Sequence, residues 1–325
     1  MQRRELLQAL ALLLPATGPL TAWAQNDYPK PGSTLRYVVP FAPGGLTDVM
    51  ARVVGERLGQ RWGVNVVIDN KPGGGAQIGA DAVAKAPGDG TTLLAITLTH
   101  AANVTLYKGK ASFDFQRDLR PVALLAGSPM LIVVPAASPI KDVKDLVAQA
   151  KARVLNVGSS GNGTPPHLTQ ALFAGTQEVQ VQHIPYKGGA PSMTDLIGGQ
   201  LDVIFSNFPE SIAHVKAGKL RALAVTGPAR HPQVPDVPTT AEAGLPQLQV
   251  ENWTAIMVPG TTPDAIVARL GAEAVAIMNL PEVAARVREL GFRVDARGPA
   301  EFAPFLKSEI ERWAGIIASA KIQAD

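Results

Sequence analysis

The chain contains no cysteine, and this absence excludes several kinds of chemistry. Disulfides, thiolate zinc sites and redox dithiols all require cysteine, and a chain without it avoids disulfide exchange in an oxidising compartment. The fold of these 325 residues must therefore rest on packing alone. A hydrophobic content of 46% is sufficient for two lobes, each with its own core.

Aromatic residues and clustered charges are also scarce. Aromatics make up 5% of the chain, and its 30 lysines and arginines form no run, although the net charge is +3. Surfaces that bind nucleic acid usually combine a basic stripe with aromatic side chains, so we expect no nucleic-acid partner. The five histidines are widely separated, so we expect no metal and no cofactor.

Long apolar runs are missing as well, apart from a short one near the start. Arg3 and Arg4 precede an apolar stretch that ends at Leu14, and Ala22 and Ala24 frame a cleavage site. This arrangement is typical of an export signal and is too short to span a bilayer of about 30 Å. We expect cleavage after Ala24 and a periplasmic mature protein, exported by either the general or the twin-arginine route.

The remainder of the chain alternates β-rich runs with helical periodicity, which predicts a mostly parallel α/β sheet with ligands at the carboxyl ends of strands. Three β-rich runs open the chain, and the third is followed by a polar loop, Thr97–His100. A second series with its own glycine loops follows. We predict a signal peptide (1–24), a first lobe (25–126 plus 226–325) and a second lobe inserted into it (127–225).

Three strand-to-helix junctions contain glycine. The first is RYVVPFAPGGLTD (36–48), and the others are SSGNGTPPH (159–167) and PYKGGAP (185–191). Each directs backbone N–H groups and the positive end of a helix dipole at one point, which favours an anion. In the second junction, Thr164 is a natural N-cap and Pro165 suits the first helical position.

Each junction also has a purely structural interpretation. A glycine loop can be only a tight turn, Tyr186 can pack over such a turn, and Lys187 can be a solvated surface charge. Asp48 can serve simply as a partner of the helix dipole.

Enzymatic interpretations fail in detail. A phosphate-binding loop requires lysine where Thr164 follows Gly163, and Asn162 breaks the glycine pattern of a nucleophile elbow around Ser160. We therefore predict no catalytic residue and no enzyme.

The chain closely resembles the periplasmic receptors of tripartite tricarboxylate transporters, the Bug family. The resemblance rests on six motifs in order: VVPFAPGGLTD, NKPGGGAQIGAD, APGDGTTLL, SSGNGTPPHL, IPYKGGAPSMTDLIGGQLDVIF and VPDVPTTAEAGLP. It implies a two-lobed α/β fold of the type II periplasmic-binding-protein (Venus-flytrap) class, with a ligand cleft between the lobes. It also implies a monomer that captures a small carboxylate and delivers it to membrane permease subunits.

The same resemblance suggests which residues meet the ligand. Many relatives carry an acidic residue after the strand that ends at Phe205, where this chain has Ser206 and Asn207. The predicted ligand-binding residues are Phe41, Ala42, Pro43, Gly44, Gly45, Asp48, Asn70, Thr97, Thr99, His100, Ser159, Ser160, Gly163, Thr164, His167, Tyr186, Lys187, Ser206 and Asn207.

Because junctions of this type are predicted on both lobes, we favour a dicarboxylate with one carboxylate on each. A monocarboxylate with an apolar body is the alternative ligand. The alternative functions are an exported sensor for a signalling receptor, a solute receptor that clamps carboxylate with arginine, and an α/β hydrolase. No arginine lies in the glycine-loop motifs, and this favours recognition by backbone and dipole.

Overall fold

A computed structural model of the chain describes residues 28–320 and 322–323. The predicted signal segment and its cleavage site lie outside the described residues. Within the described part, no helix has the length and apolar character needed to cross a membrane. The predicted α/β class is confirmed, since strands and helices alternate through most of the chain.

The strands form two sheets that share one long strand. In sheet A the order is β2-β1-β3-β9-β4, with β10 also on β4, and in sheet B β4 pairs with β7 and β8, and β5 lies between β7 and β6. The strands are β1 Thr34–Val39, β2 Asn65–Asn70, β3 Thr92–Thr97, β4 Leu119–Pro135, β5 Leu155–Ser159, β6 Val181–Pro185, β7 Val203–Asn207, β8 Leu220–Val225, β9 Glu251–Pro259 and β10 Arg293–Arg297.

The helices cover both faces of these sheets. They are α1 Leu46–Trp62, α2 Gln77–Ala84, α3 Leu98–Leu106, α4 Phe115–Asp118, α5 Val143–Ala152, α6 Pro165–Gln177, α7 Gly189–Ile197, α8 Phe208–Lys216, α9 Asp264–Met278, α10 Pro281–Glu289 and α11 Pro299–Ser319. The predicted helix after Asp48 is confirmed. It buries Leu46, Met50, Val54 and Leu58, the four-residue spacing that puts one apolar stripe on a sheet.

Two predictions about local structure are wrong. The sheets are mixed rather than mostly parallel, because β4 runs antiparallel to β7, β8, β9 and β10, and β3 runs antiparallel to β9. The segment predicted as a polar loop, Thr97–His100, instead ends β3 and begins α3. The Thr97 and His100 side chains cap the helix, a role for which polar residues are suited.

Each sheet has apolar clusters on both faces. Tyr37, Leu93 and Met50 belong to one face of sheet A, and Trp313 and Phe302 belong to the other. In sheet B the corresponding clusters are centred on Phe173 with Phe205 and on Ile204 with Phe208.

The shared strand β4 changes partners at Pro129. Residues up to Pro129 pair with β9, and residues from Met130 onward pair with β7. Thr226 lies beside this point, since its N–H donates to the carbonyl of Met130 at 3.0 Å. The two sheets are therefore joined where β4 and the segment after β8 run side by side.

Candidate functional site

A cavity lies where loops from the two sheets meet at the carboxyl ends of their strands. Its volume is about 20 Å³, which is room for roughly one water molecule. The cleft between the sheets is thus nearly closed in this conformation. Residues of both sheets and their helices line it: Phe41, Ala42, Gly45, Leu46, Thr47, Thr97, Thr99, Ser160, Thr164, Pro165, Gly188, Gly189, Asn207, Glu210 and Asn252.

The first junction brings the N-terminus of α1 to this cavity. Gly44 has φ of +82°, a conformation that glycine adopts without strain, and Gly45 is the N-cap. Glycine has no side chain to cap the helix, so the N–H groups of its first turn need other acceptors, and Leu46 N finds one in the Glu210 carboxylate at 3.2 Å. Of the ligand-binding residues predicted in this junction, three line the cavity: Phe41, Ala42 and Gly45. Two others, Pro43 and Gly44, are exposed on the loop.

Asp48 lies beneath this loop rather than in the cavity. Its carboxylate accepts hydrogen bonds from Gly44 N at 3.0 Å, from both Arg52 Nε and Nη2, and from Asn70 Nδ2. Asn70 also donates to the carbonyl of Phe41 at 3.0 Å. Asp48 and Asn70 therefore hold the shape of the loop and do not face the cavity.

Charge neutralisation keeps Asp48 ionised in this position. Burial alone would raise the pKa of the Asp48 carboxyl, but hydrogen bonds from Arg52, Gly44 and Asn70 bring it below its ordinary value.

The start of α3 contributes two threonines. Thr97 accepts from Thr99 N, and its own N–H donates to His100 Nδ1 at 3.2 Å, which forms a capping box. Both threonines line the cavity. Thr99 Oγ1 is buried and has no hydrogen-bond partner among the described residues, so it is the side-chain hydroxyl best placed to meet a ligand.

His100 is held away from this cavity. It lines instead a larger cavity of about 550 Å³ between α3 and the segment up to Arg117. Burial lowers the pKa of His100 to about 4, so its ring is neutral at physiological pH. Because Nδ1 accepts from the backbone, the ring proton is assigned to Nε2.

The second junction forms a dense hydrogen-bonded loop at the start of α6. Ser160 and Thr164 line the cavity, and Thr164 is the N-cap with Pro165 at the first helical position, as predicted. The other predicted residues support the loop: Gly163 N donates to His167 Nδ1 at 3.1 Å. Ser159 Oγ lies 2.6 Å from His183 Nε2, and the His167 and His183 rings stack at 4.1 Å.

The Ser159 and His183 pair does not create a hydrolase site. Ser159 is fully buried and does not line the cavity. Its Oγ also accepts from Gly161 N at 3.1 Å, so this hydroxyl is part of the turn. Among the described residues no cluster of acidic or histidine side chains is suited to hold a metal.

The third junction presents backbone rather than the side chains that the sequence suggested. Tyr186 donates its hydroxyl to Asp195 Oδ2 at 2.6 Å, and Lys187 is exposed. Gly188 and Gly189 line the cavity in their place. A Cβ on Gly188 would lie 3.2 Å from the Cβ of Ala42, so this loop meets the first junction across the cleft.

Sequence reasoning missed a hydrogen-bonded chain that crosses the cleft. Asn252 Nδ2 donates to Asn207 Oδ1 at 2.8 Å, and Asn207 Nδ2 donates to Glu210 Oε2 at 3.0 Å. Glu210 Oε1 accepts from Leu46 N, at the start of α1, at 3.2 Å. Ser206 is buried, with its hydroxyl bonded to the carbonyl of Asn207.

Glu210 could have been recognised from the sequence as an acidic residue close after a predicted strand, at the start of a helix. It lies in the first turn of α8, four residues beyond Ser206. Asn252 offered no comparable signal, because strand β9 reaches the cleft only through long-range pairing with β4. The other lining residues that were missed are Leu46, Thr47, Pro165, Gly188 and Gly189.

Comparisons with known proteins agree with this geometry. The family model described as tripartite tricarboxylate transporter family receptor matches residues 50–322. Protein BugT of Bordetella pertussis is 32% identical over 98% of this chain and 98% of its own length.

Two solved structures share the whole fold. R. palustris Rpa4515 with adipate has a TM-score of 0.87 and 34% identity, covering 91% of this chain and 99% of that one. MatC (Rpa3494) from Rhodopseudomonas palustris with bound malate has a TM-score of 0.84 and 33% identity, covering 88% and 99%. The chain therefore belongs to the tripartite tricarboxylate transporter receptor family, whose members are periplasmic solute-binding receptors of the Bug type and not enzymes.

Proposed function

We propose that this receptor captures a small carboxylate between its two lobes, favours a dicarboxylate, and delivers it to the permease of a tripartite transporter. The observation that carries the proposal is the convergence of α1, α3, α6 and α7 on one cavity by their N-termini. Related receptors were solved with adipate and with malate, both of which are dicarboxylates. Delivery to a permease rests on family membership.

The energies are consistent with this proposal. One helix N-terminus favours an anion by about 0.3–1 kcal/mol when exposed and up to about 2 kcal/mol when partly buried. Micromolar binding requires about 8 kcal/mol. The N–H groups at these termini that have no protein acceptor, together with charge-assisted hydrogen bonds and burial in the cleft, can supply this without arginine.

We propose that the lobes comprise residues 25–126 plus 226–325 and residues 127–225. The change of partners along β4 at Pro129 supports the first crossing. Leu245 and Leu248 pack into a core cluster of sheet B, so we infer one exception to this division: of residues 226–325, the stretch up to Leu248 moves with the second lobe. We also propose that the receptor acts as a monomer and binds no nucleic acid.

Thr99→Val should weaken carboxylate binding by roughly tenfold or more, because a hydrogen bond to a charged group contributes about 1.5–3 kcal/mol. The measurement is a thermal-shift and calorimetric panel that compares adipate with hexanoate, a monoacid of equal length. Stabilisation by hexanoate alone would contradict the preference for a dicarboxylate.

Thr262→Val is the matched control for this substitution. Thr262 is equally buried, and its Oγ1 likewise has no hydrogen-bond partner among the described residues, but it does not line the cavity. We expect it to bind adipate as the native chain does. Equal losses in both variants would mean that the effect of Thr99→Val is general and not one of ligand contact.

The mature protein should begin at Gln25, because Ala22 and Ala24 occupy the small-residue positions before it. Intact-mass measurement of the protein released from the periplasm checks this. Recovery of a chain that still carries Met1 would contradict it.

A further inference from the structure

Glu210 places a carboxylate of the protein at the point where two helices from opposite lobes begin. Its Oε1 accepts from Leu46 N at the start of α1, and its Oε2 accepts from Asn207. A Cβ on Gly189, the first residue of α7, would overlap with this carboxyl group. Glycine at position 189 therefore lets the acid lie directly against the N-terminus of α7.

The Glu210 carboxylate thus occupies a position at two helix N-termini where an anionic ligand group would otherwise bind. It lines the same cavity as Thr99, Ser160 and Thr164. A ligand carboxylate that approached α1 would come close to Glu210, and two carboxylates at one site cannot both remain ionised without strong repulsion. Either the ligand has no charge at this end, or the pair holds a proton.

Among the residues that the structure describes, no cation donates to the Glu210 carboxylate to relieve this repulsion. The donors to Glu210 are a backbone N–H and an asparagine amide. On α1, Asp48 is paired with Arg52; before α7, Lys187 is exposed; and His214 lies one turn further along α8. The strands contribute the neutral amides of Asn207 and Asn252.

The direction of the pKa shift of Glu210 is consistent with a shared proton. Burial raises the pKa of the Glu210 carboxyl above its ordinary value, and the hydrogen bonds from Asn207 and Leu46 offset only part of that effect. A second carboxylate beside it would raise this pKa further.

We propose that a dicarboxylate binds with one of its carboxyl groups paired to Glu210 through a shared proton, so that each binding event takes up one proton from solvent. This inference rests on the proposed function and identifies the bound species as a hydrogen dicarboxylate. The proton bridges two oxygens and returns to solvent when the ligand leaves. Glu210 thereby acts as a specificity residue that rejects a fully ionised group at the α1 end.

The test is calorimetric titration with adipate in two buffers of different ionisation enthalpy, between about pH 6 and about pH 8, where free carboxyls are ionised. The native receptor should take up about one proton per adipate, and its affinity should fall by up to about tenfold per pH unit. Hexanoate, which lacks the second carboxyl, should bind without proton uptake.

Glu210→Gln should remove the uptake, because the amide donates to the ligand carboxylate without titrating. Its affinity for adipate near pH 8 should equal or exceed that of the native receptor. Glu301→Gln is the matched control, since Glu301 also lies in the first turn of a helix but is exposed; it should keep the native uptake.

Adipate binding to the native receptor without proton uptake would overturn the inference while leaving the proposed function intact. Native uptake that persists in Glu210→Gln would also overturn it. Binding of no carboxylate in the panel would contradict the proposed function itself. Because the native measurement needs no variant, the inference can fail even if Glu210→Gln does not fold.

Discussion

Gly163→Ala should weaken ligand binding by roughly ten- to a hundredfold. A Cβ at this position would overlap with Asn103 Oδ1, on a helix of the other lobe. Overpacking of this kind costs about 1–3 kcal/mol, and about 1.4 kcal/mol corresponds to a tenfold change in affinity. Because the two residues lie on elements of different sheets, we expect this collision only in the closed form, so the cost should reduce ligand affinity. Titration calorimetry with adipate measures it directly.

Gly199→Ala separates this collision from backbone strain. The two glycines have nearly the same φ, +71° for Gly163 and +74° for Gly199, but nothing lies within 4 Å of a Cβ at Gly199. Both variants should lose about 1 kcal/mol of stability from the left-handed backbone. Only Gly163→Ala should lose affinity, and equal affinity in the two variants would refute closure at this contact.

Asp48→Asn should lower the free energy of unfolding by about 1–3 kcal/mol, since the buried carboxylate accepts from Gly44, Arg52 and Asn70 and an amide would leave part of these donors without an acceptor. The Asp48 side chain is 3% exposed, whereas Arg52 is 54% exposed, so screening reduces the part due to their charge attraction. Asp81→Asn is the matched control, because Asp81 and Lys85 form an i,i+4 pair on an open surface. It should cost only about 0.3–0.5 kcal/mol.

The effect of Asp48 should depend on pH in a defined direction. Its pKa is lower in the folded protein than in the unfolded chain, so its contribution is present at neutral pH. That contribution disappears as the pH falls from the ordinary carboxyl value, about 3.9, through the folded pKa. Urea denaturation at several pH values checks this, and a stability difference between the native chain and Asp48→Asn that does not shrink in acid would contradict it.

Local sequence patterns predicted local structure well. The junctions predicted at residues 36–48 and 159–167 lead from strands into helices α1 and α6, because periodicity and the neighbouring glycines and prolines act within a few residues. The antiparallel course of β9 could not be predicted in this way. Its direction depends on how the connection of residues 226–250 returns from the second sheet, which is a long-range property.

At the candidate site, too, local backbone features could be predicted from the sequence, whereas long-range contacts could not. Glycine junctions identified the helix N-termini, since backbone geometry follows from local residues. Side-chain orientation did not follow: Tyr186 turns to Asp195, and His100 turns to the backbone of Thr97. Glu210 could be recognised as an acid in the first turn of a helix, but its position against Gly189, two elements away in the chain, follows only from the tertiary fold.

The sharing of β4 between the sheets bears on the order in which the two sheets can form during folding. Sheet B is built from consecutive segments up to Val225, whereas sheet A lacks β9 until residue 259 has appeared. Contacts close in sequence form faster than distant ones. Sheet B can therefore assemble first, with its end of β4 already in place. Sheet A is completed only later, because its central strand β9 belongs to the C-terminal third of the chain.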